Sequence, residues 1–223
     1  MWVLSIVSDF RGEEMIYYAD QLDMIDDKLF QALLPYVSNE RMAVANRYRF
    51  RADCVQSVLA FILLRIGLWE EYGISQVPGI ATGNGKKPYL TEHPHIHFNL
   101  SHCKTGVACA LSDAPIGIDI QHYVDYKESV ARKIMTPGEF SFCNRDNREF
   151  TRIWSLKESY GKYLGCGIRY DMAKHEVLDS AVSKSYVLRD FVLCVSTTAE
   201  LKLVKIQADE LLTRCQMLQR EHI

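Results

Sequence analysis

Two short stretches of this chain hold side chains of the types and spacing that phosphoryl transfer needs. In IGIDIQ at 116–121, Ile116, Ile118 and Ile120 alternate with Gly117, Asp119 and Gln121, which is the period-two pattern of a half-buried strand. Asp119 and Gln121 therefore share one strand face. In WSLKESYGK at 154–162, a helix places Trp154, Glu158 and Lys162 at i, i+4 and i+8, so an acid and a base lie on one stripe. A strand-borne Asp119, a second oxygen on Gln121 and a helix-borne Glu158 suit a hard cation, because magnesium takes oxygen ligands and keeps waters and substrate phosphates. Lys157 and Lys162 stand beside them as candidates to hold phosphate. Taken alone, a Glu–Lys pair at i, i+4 is the ordinary solvated face of a helix, worth about 0.2–0.5 kcal/mol.

The elements that must position these side chains follow from periodicity and breakers. A strand is expected at 2–7, and a helical segment at 15–34 ended by Pro35. Ser38 or Asn39 is placed to cap the next helix. Asp53 is expected to cap an apolar helix over 54–65, core on both sides and stopped near Gly67. GNGKKP at 83–88 reads as a turn entering a strand, and FNLSH at 98–102 as a buried strand. Strands at 107–111 and 116–120 are expected as neighbours joined across SDAP at 112–115. A helix over 126–150 gives way at TPGE, 136–139, and Gly165 and Gly167 suit a helix end. Segments 191–196 and 201–207 look like a terminal hairpin, followed by an amphipathic tail at 210–223.

With 223 residues, 48% of them hydrophobic, the chain has the apolar content of a globular core and is neither disordered nor fibrous. A formal net charge of −2 supplies no global basic field for nucleic acid, so any anion site must be local. Arg41, Arg47, Arg49 and Arg51 concentrate such charge. Seven cysteines without a CxxC pair suggest reduced thiols and a cytoplasmic protein. The apolar opening at 1–10 lacks a basic leader and reads as a strand, and the apolar run at 58–64 is too short to span a bilayer. Neither a P-loop nor GxGxxG occurs. Alternating His93, His95 and His97 invite a zinc reading, but Pro94 interrupts them and no fourth ligand is evident.

In this order, GKKP (85–88), FNLSH, IGIDIQ and WSLKESYGK resemble the signature of the Sfp-type 4'-phosphopantetheinyl transferases, over roughly 38–167. The resemblance implies an α+β fold of two similar α/β halves related by a pseudo-twofold, with the active site between them. Residues 1–112 would form the half that grips coenzyme A phosphate, and 113–223 the half with metal-binding and catalytic residues. It implies magnesium-dependent transfer of the phosphopantetheine arm of coenzyme A to a serine of an apo acyl or peptidyl carrier protein, releasing adenosine 3',5'-bisphosphate. Such carriers serve fatty acid, polyketide or nonribosomal peptide synthesis. On the family's pattern, Arg41 and Ser57 fall in the cluster that grips the 3'-phosphate, while another basic position falls on Val44. Lys87 is the coenzyme A phosphate lysine of the GKP motif, and Ser101 and His102 lie near the nucleotide phosphates.

The same pattern gives Asp119, Gln121 and Glu158 to the metal, Lys157 and Lys162 to phosphate, and catalysis to Asp119, Glu158 and Lys162. Glu158, or a water held by the cation, takes the serine proton. Arg132, Lys133, Phe140 and Phe142 lie where relatives meet the carrier. The protein is expected to be a cytoplasmic monomer that contacts neither nucleic acid nor membrane. Two departures stand out. Gln121 occupies a position where many relatives carry Glu, and Cys103 and Lys104 follow His102 where a small residue and glycine are usual, Lys104 adding charge near the phosphates. A coenzyme A- or nucleotide-binding regulator that has lost turnover, which Gln121 favours, and a magnesium-dependent phosphohydrolase remain the alternatives.

Overall fold

Residue 15 opens no helix. The computed structural model describes residues 13–83, 87–166 and 171–219, and it begins with β1 (Glu13–Ala19), followed by α1 (Asp27–Leu33) and α2 (Asn39–Ala45). The Ile–Tyr–Tyr run at 16–18 is held between two strands distant in sequence, so tertiary pairing overrides the helical reading. Asp26 caps α1 and Ser38 caps α2, the latter by accepting the Arg41 N–H at 3.0 Å. The strand expected at 2–7, and Gly85, Lys86 and Gly167, lie outside the described residues.

α3 (Arg51–Tyr72) is longer than expected at both ends. Gly67 does not stop it. A Cβ there would run into the Leu111 side chain and come within 3.0 Å of the Tyr17 ring, so this glycine lets helix and sheet approach closely. The stop is Gly73, at φ +66°, whose N–H donates to the Trp69 carbonyl at 2.9 Å. With 22 residues, α3 is long and apolar enough to cross a membrane, yet most of it is buried here as the central helix of a core.

A small pair, β2 (Ile80–Thr82) and β3 (Pro88–Leu90), precedes β4 (His97–Cys103), β5 (Gly106–Ser112) and β6 (Gly117–His122). Next come α4 (Glu128–Ile134), α5 (Pro137–Cys143) and α6 (Asn147–Leu164). The chain closes with β7 (Ser183–Val187), β8 (Phe191–Ser196), β9 (Glu200–Lys205) and α7 (Ala208–Met217). A four-stranded sheet has the order β4-β5-β1-β9, and a three-stranded sheet has the order β6-β8-β7.

These pieces stack in four layers. α3 covers one face of the larger sheet through Phe61, Leu111 and Tyr17. The other face, through Ile16, Ala108 and Ala110, packs on Ile118, Ile120 and Leu193 of the smaller sheet. α6 closes the far side, where Leu156 meets Val192 and Cys194. β5 and β8 are buried along their whole length because each is covered on both faces.

Two expectations about strand neighbours fail. β5 and β6 pack face to face in different sheets rather than pairing. The segments expected as a terminal hairpin also part company: β8 pairs with β6 and β7, whereas β9 crosses to run parallel to β1. Consequently β9 and α7, assigned to the second half by a division at 112/113, complete the sheet and core of the first. Only a parallel partner beyond β1, invisible in local pattern, distinguishes these outcomes.

Candidate active site

β4 and β6 are edge strands of the two sheets, and they meet along a seam. The Ile118 N–H donates to Asn99 Oδ1 at 2.8 Å and the Ile120 N–H to Ser101 Oγ at 3.2 Å. Side chains of β4 thus satisfy edge amides that a buried β6 would otherwise leave unpaired. α6 packs on the same strand at Gly117, where a Cβ would collide with the Ser159 carbonyl oxygen and the Tyr163 nitrogen. Backbone contact of this kind requires glycine, and it brings the next residue on that face, Asp119, against Ser155 and Lys162.

Asp119 is only 7% exposed. Its Oδ1 accepts from Lys162 Nζ at 2.7 Å and Ser101 Oγ at 3.0 Å, and its Oδ2 accepts from Ser155 Oγ at 2.9 Å. Lys162 Nζ also donates to the Ile118 carbonyl at 2.9 Å and to Ser101 Oγ at 3.2 Å. Glu158 is half-buried one turn before Lys162, and among the described residues its carboxylate has no hydrogen-bond partner. Burial, and then the charge of Asp119, raise its proton affinity above the ordinary carboxylate value, with Lys162 opposing. Among the described residues, two carboxylates face one ammonium, which leaves surplus negative charge.

Gln121 lies half-buried on the same strand face. An all-oxygen set of Asp119, Glu158 and Gln121 with uncompensated charge fits a hard divalent cation such as magnesium. Among the described residues no group of three His, Cys, Asp or Glu side chains has metal-ligand geometry. The histidine run forms no such group either; His93 and His95 meet edge to face with centroids 6.1 Å apart.

Cations extend from this centre along β4 toward α2 and α3. His102 Nδ1 lies 3.1 Å from Gln56 Oε1. Burial first, then the charges of Arg41 and Lys162, hold its imidazole below the usual histidine range, while Asp53 and Asp119 pull the other way. Arg41 donates from Nε to the Ser57 carbonyl at 3.2 Å and stands 6.0 Å from the Phe61 ring centroid. Ser57 itself is buried, so it contributes its backbone. Lys87 donates to the Ile116 carbonyl at 2.8 Å, and its side chain lies 3.7 Å from where a Gly165 Cβ would stand. That places it where the C-terminal turn of α6 crosses the start of β6.

Lys157 does not hold phosphate. It is fully buried, paired with Glu139 at 2.6 Å, and it donates to the Met172 carbonyl at 2.8 Å and to the His175 carbonyl. Lysines at 157 and 162 are five residues apart, so on a helix they point to different sides. Arg51 pairs with Asp27 and covers the Phe30 ring, and Arg49 lies over Phe50; neither reinforces Arg41. Lys104 lines a separate cavity with Asp20, Asp23 and Asp190, away from the expected phosphate cluster.

Two contributors escaped sequence reasoning. Ser155 shares the i, i+3, i+7 stripe with Glu158 and Lys162, a signal that points to it once the helix is drawn. Gln56 lies in the apolar stretch of α3, and nothing local marks it.

A profile of the 4'-phosphopantetheinyl transferase superfamily matches residues 115–213. The 4'-phosphopantetheinyl transferase psf-1 of Bacillus pumilus is 34% identical over 170 residues, which are 71% of this chain and 72% of that protein. The chain belongs to the 4'-phosphopantetheinyl transferase family. Sfp of Bacillus subtilis (strain 168) is 28% identical over 144 residues, and the match covers 62% of this transferase but 64% of Sfp, less than two thirds of it. HetI of Nostoc is 28% identical over 193 residues, 81% of this chain and 77% of the relative. The four-layer α+β architecture is consistent with family membership, and of the described motif residues Asn99, Ser101, Asp119 and Lys162 meet at the β4–β6–α6 seam.

Proposed function

We propose that this chain transfers the 4'-phosphopantetheine arm of coenzyme A to a serine of an apo acyl or peptidyl carrier protein, with magnesium, releasing adenosine 3',5'-bisphosphate. The observation that carries the proposal is the convergence of Asp119, Glu158 and Lys162 at a seam from which His102 and Arg41 lead to a nucleotide-sized cavity of about 470 Å³. Family membership supports the same reading.

Asp119, Glu158 and Gln121 would hold the magnesium, which supplies charge neutralisation on the pyrophosphate when bound. Lys162, held by two neutral oxygens besides Asp119, presents its ammonium to the phosphate and stabilises charge developing there. Glu158, directly or through a water, takes the proton from the incoming serine hydroxyl; among the described residues no hydrogen bond ties up its oxygens. The serine oxygen bonds to the phosphorus of the pantetheine phosphate as the pyrophosphate bridge breaks, and the electron pair leaves with adenosine 3',5'-bisphosphate. His102, flanked by Arg41 and Lys162, steadies the pyrophosphate.

For the carrier, the reading is supported by the surface of α4 and α5. Phe142 is 56% exposed, Lys133 is exposed, and Arg132 stands 4.8 Å from the Phe140 centroid while pairing with Glu128. An acidic carrier would meet an aromatic patch with basic flanks. We propose that the enzyme is a monomer and that it is cytoplasmic, the latter reading supported by seven free thiols. The test is incubation with coenzyme A, magnesium and a panel of apo carrier proteins, read by intact mass. A mass gain of one phosphopantetheine on a carrier is the expected result. Phosphate release without transfer would identify a phosphohydrolase, and binding with neither would identify a regulator.

A further inference from the structure

Arginines at 132, 145, 148 and 152 stand on α4, on α6 and in the turn between α5 and α6, and three of them are engaged. Arg132 pairs with Glu128 at 2.5 Å, Arg145 reaches the same carboxylate at 3.5 Å, and Arg152 pairs with Glu149 at 2.7 Å. Arg148 is exposed, and among the described residues it has neither a carboxylate partner nor a hydrogen-bond acceptor. Residues 167–170, outside that set, carry no carboxylate. Glu149 and Asp190 are near enough to raise the proton affinity of the neighbouring Tyr123, but Glu149 is committed to Arg152 and Asp190 lines the cavity of Lys104.

What holds Arg148 is a ring. Its guanidinium carbon stands 4.8 Å from the Tyr123 centroid, within cation–π reach, and the Tyr123 hydroxyl is anchored by donating to the Leu188 carbonyl at 3.0 Å. Arg148 is the second residue of α6, where a cation opposes the helix dipole, so the fold gains little from the charge itself. The position ties it to the reacting centre. Tyr123 comes two residues after Gln121, and the Val124 N–H donates to Thr151 Oγ1 at 3.1 Å, which keeps the chain leaving β6 against α6. Along α6, Arg148 shares the i, i+7, i+14 stripe with Ser155 and Lys162, and ten residues of helix separate it from Glu158, a rise of about 15 Å.

We propose that Arg148, presented on the ring of Tyr123, is the docking contact for a carboxylate of the acidic carrier, and that Arg132, neutralised by Glu128, is not. This rests on the transfer reading above and names the recognition element of its partner: an acidic side chain about 15 Å from the serine that receives the arm. An exposed, unpaired guanidinium gives up no internal ion pair when it meets that carboxylate, whereas Arg132, Arg145 and Arg152 would each have to leave one.

Transfer to a carrier accepted in the mass assay is measured for wild type, Arg148→Glu and Arg132→Gln at low and high salt. Arg148→Glu should raise the carrier KM about tenfold at low salt and about threefold or less at high salt, with kcat within about twofold, and Arg132→Gln should move KM less than about threefold. Carrier variants with each Asp or Glu in turn replaced by Lys should include one that restores Arg148→Glu to within about threefold of the wild-type pair, a rescue that a merely structural role would not give. The calorimetric coenzyme A Kd of Arg148→Glu should stay within about twofold, and its thermal midpoint should lie at or above the wild-type value, because glutamate suits the first turn of a helix. A carrier KM within about twofold of wild type, a loss equally large at both salts, no restoring swap, an equal or larger effect of Arg132→Gln, a parallel loss of coenzyme A affinity or a lowered midpoint would each overturn the inference. Anisotropy of a labelled apo carrier separates the two readings: binding that Arg148→Glu breaks, with no transfer by wild type, would uphold the docking contact and overturn transfer, and neither binding nor transfer would overturn both.

Discussion

Asp119→Asn removes one negative charge from the seam with almost no change of shape. In the wild type that charge sits 2.7 Å from Lys162 Nζ, with side-chain exposures of 10% and 29%. Breaking a fully buried pair costs about 3–5 kcal/mol, because the remaining charge is stranded. Here Lys162 is partly solvated and keeps the Ser101 hydroxyl and the Ile118 carbonyl, and an asparagine oxygen can still accept from it. Ser155, which also donates to the Asp119 carbonyl at 3.3 Å, can rotate to accept from the new amide. The loss of stability should therefore be about 1–2 kcal/mol, a discounted fraction of the buried-pair figure.

Activity should respond far more. Losing the anionic ligand and the partner that orients Lys162 should lower kcat/KM at least about 100-fold, or about 2.7 kcal/mol of transition-state stabilisation. Urea unfolding and carrier-modification rates measure the two effects separately. A variant within about threefold of wild-type kcat/KM would refute the assignment of Asp119 to the reacting centre. A destabilisation beyond about 4 kcal/mol would refute the discount, and would mean that Lys162 depends on Asp119 alone. The burial of Asp119 also makes Asp119→Ala a poor probe, since it strands Lys162 without replacing the lost acceptor.

Gly117→Ala should destabilise by about 1–3 kcal/mol or more, because its Cβ has only the α6 backbone to displace; an unchanged urea midpoint would mean that α6 does not touch β6 there. Lys157→Met should cost about 3–5 kcal/mol, trimmed by protonation of Glu139, whose burial already raises its proton affinity. It should leave the coenzyme A KM alone, and a raised KM with normal stability would return Lys157 to the phosphate site. In the free enzyme His102 should titrate below 6.5 and shift upward on coenzyme A binding, as the phosphates neutralise the pull of Arg41 and Lys162. Coenzyme A affinity should therefore rise as pH falls through the bound-state pKa, with proton uptake visible by calorimetry; an imidazole NMR titration unmoved by ligand would rule this out. Gln121→Glu should lower the magnesium concentration for half-maximal rate, since hard-cation affinity grows with ligand charge, and superimposable titrations for wild type, Gln121→Glu and Gln121→Ala would remove residue 121 from the cation site.

Local pattern carried much of the site. Alternation in IGIDIQ put Asp119 and Gln121 on one face and the isoleucines on the other, which is the arrangement of β6, and the stripe in WSLKESYGK put Glu158 and Lys162 together on α6. Periodicity reports which way a side chain leaves its own backbone, so it works within an element. It cannot report which elements meet. Lys157 reads like Lys162 in sequence and becomes a buried partner of Glu139 only because α5 packs on α6. Residues 13–18 and 200–205 pair across most of the chain length, against the local preference for a helix and a hairpin. The residue types and their faces were properties of the sequence alone. The seam at which Ser101, Asp119, Ser155 and Lys162 share hydrogen bonds was decided by tertiary structure, because it exists only where two sheet edges with unsatisfied amides and a helix passing over a glycine come within contact of one another.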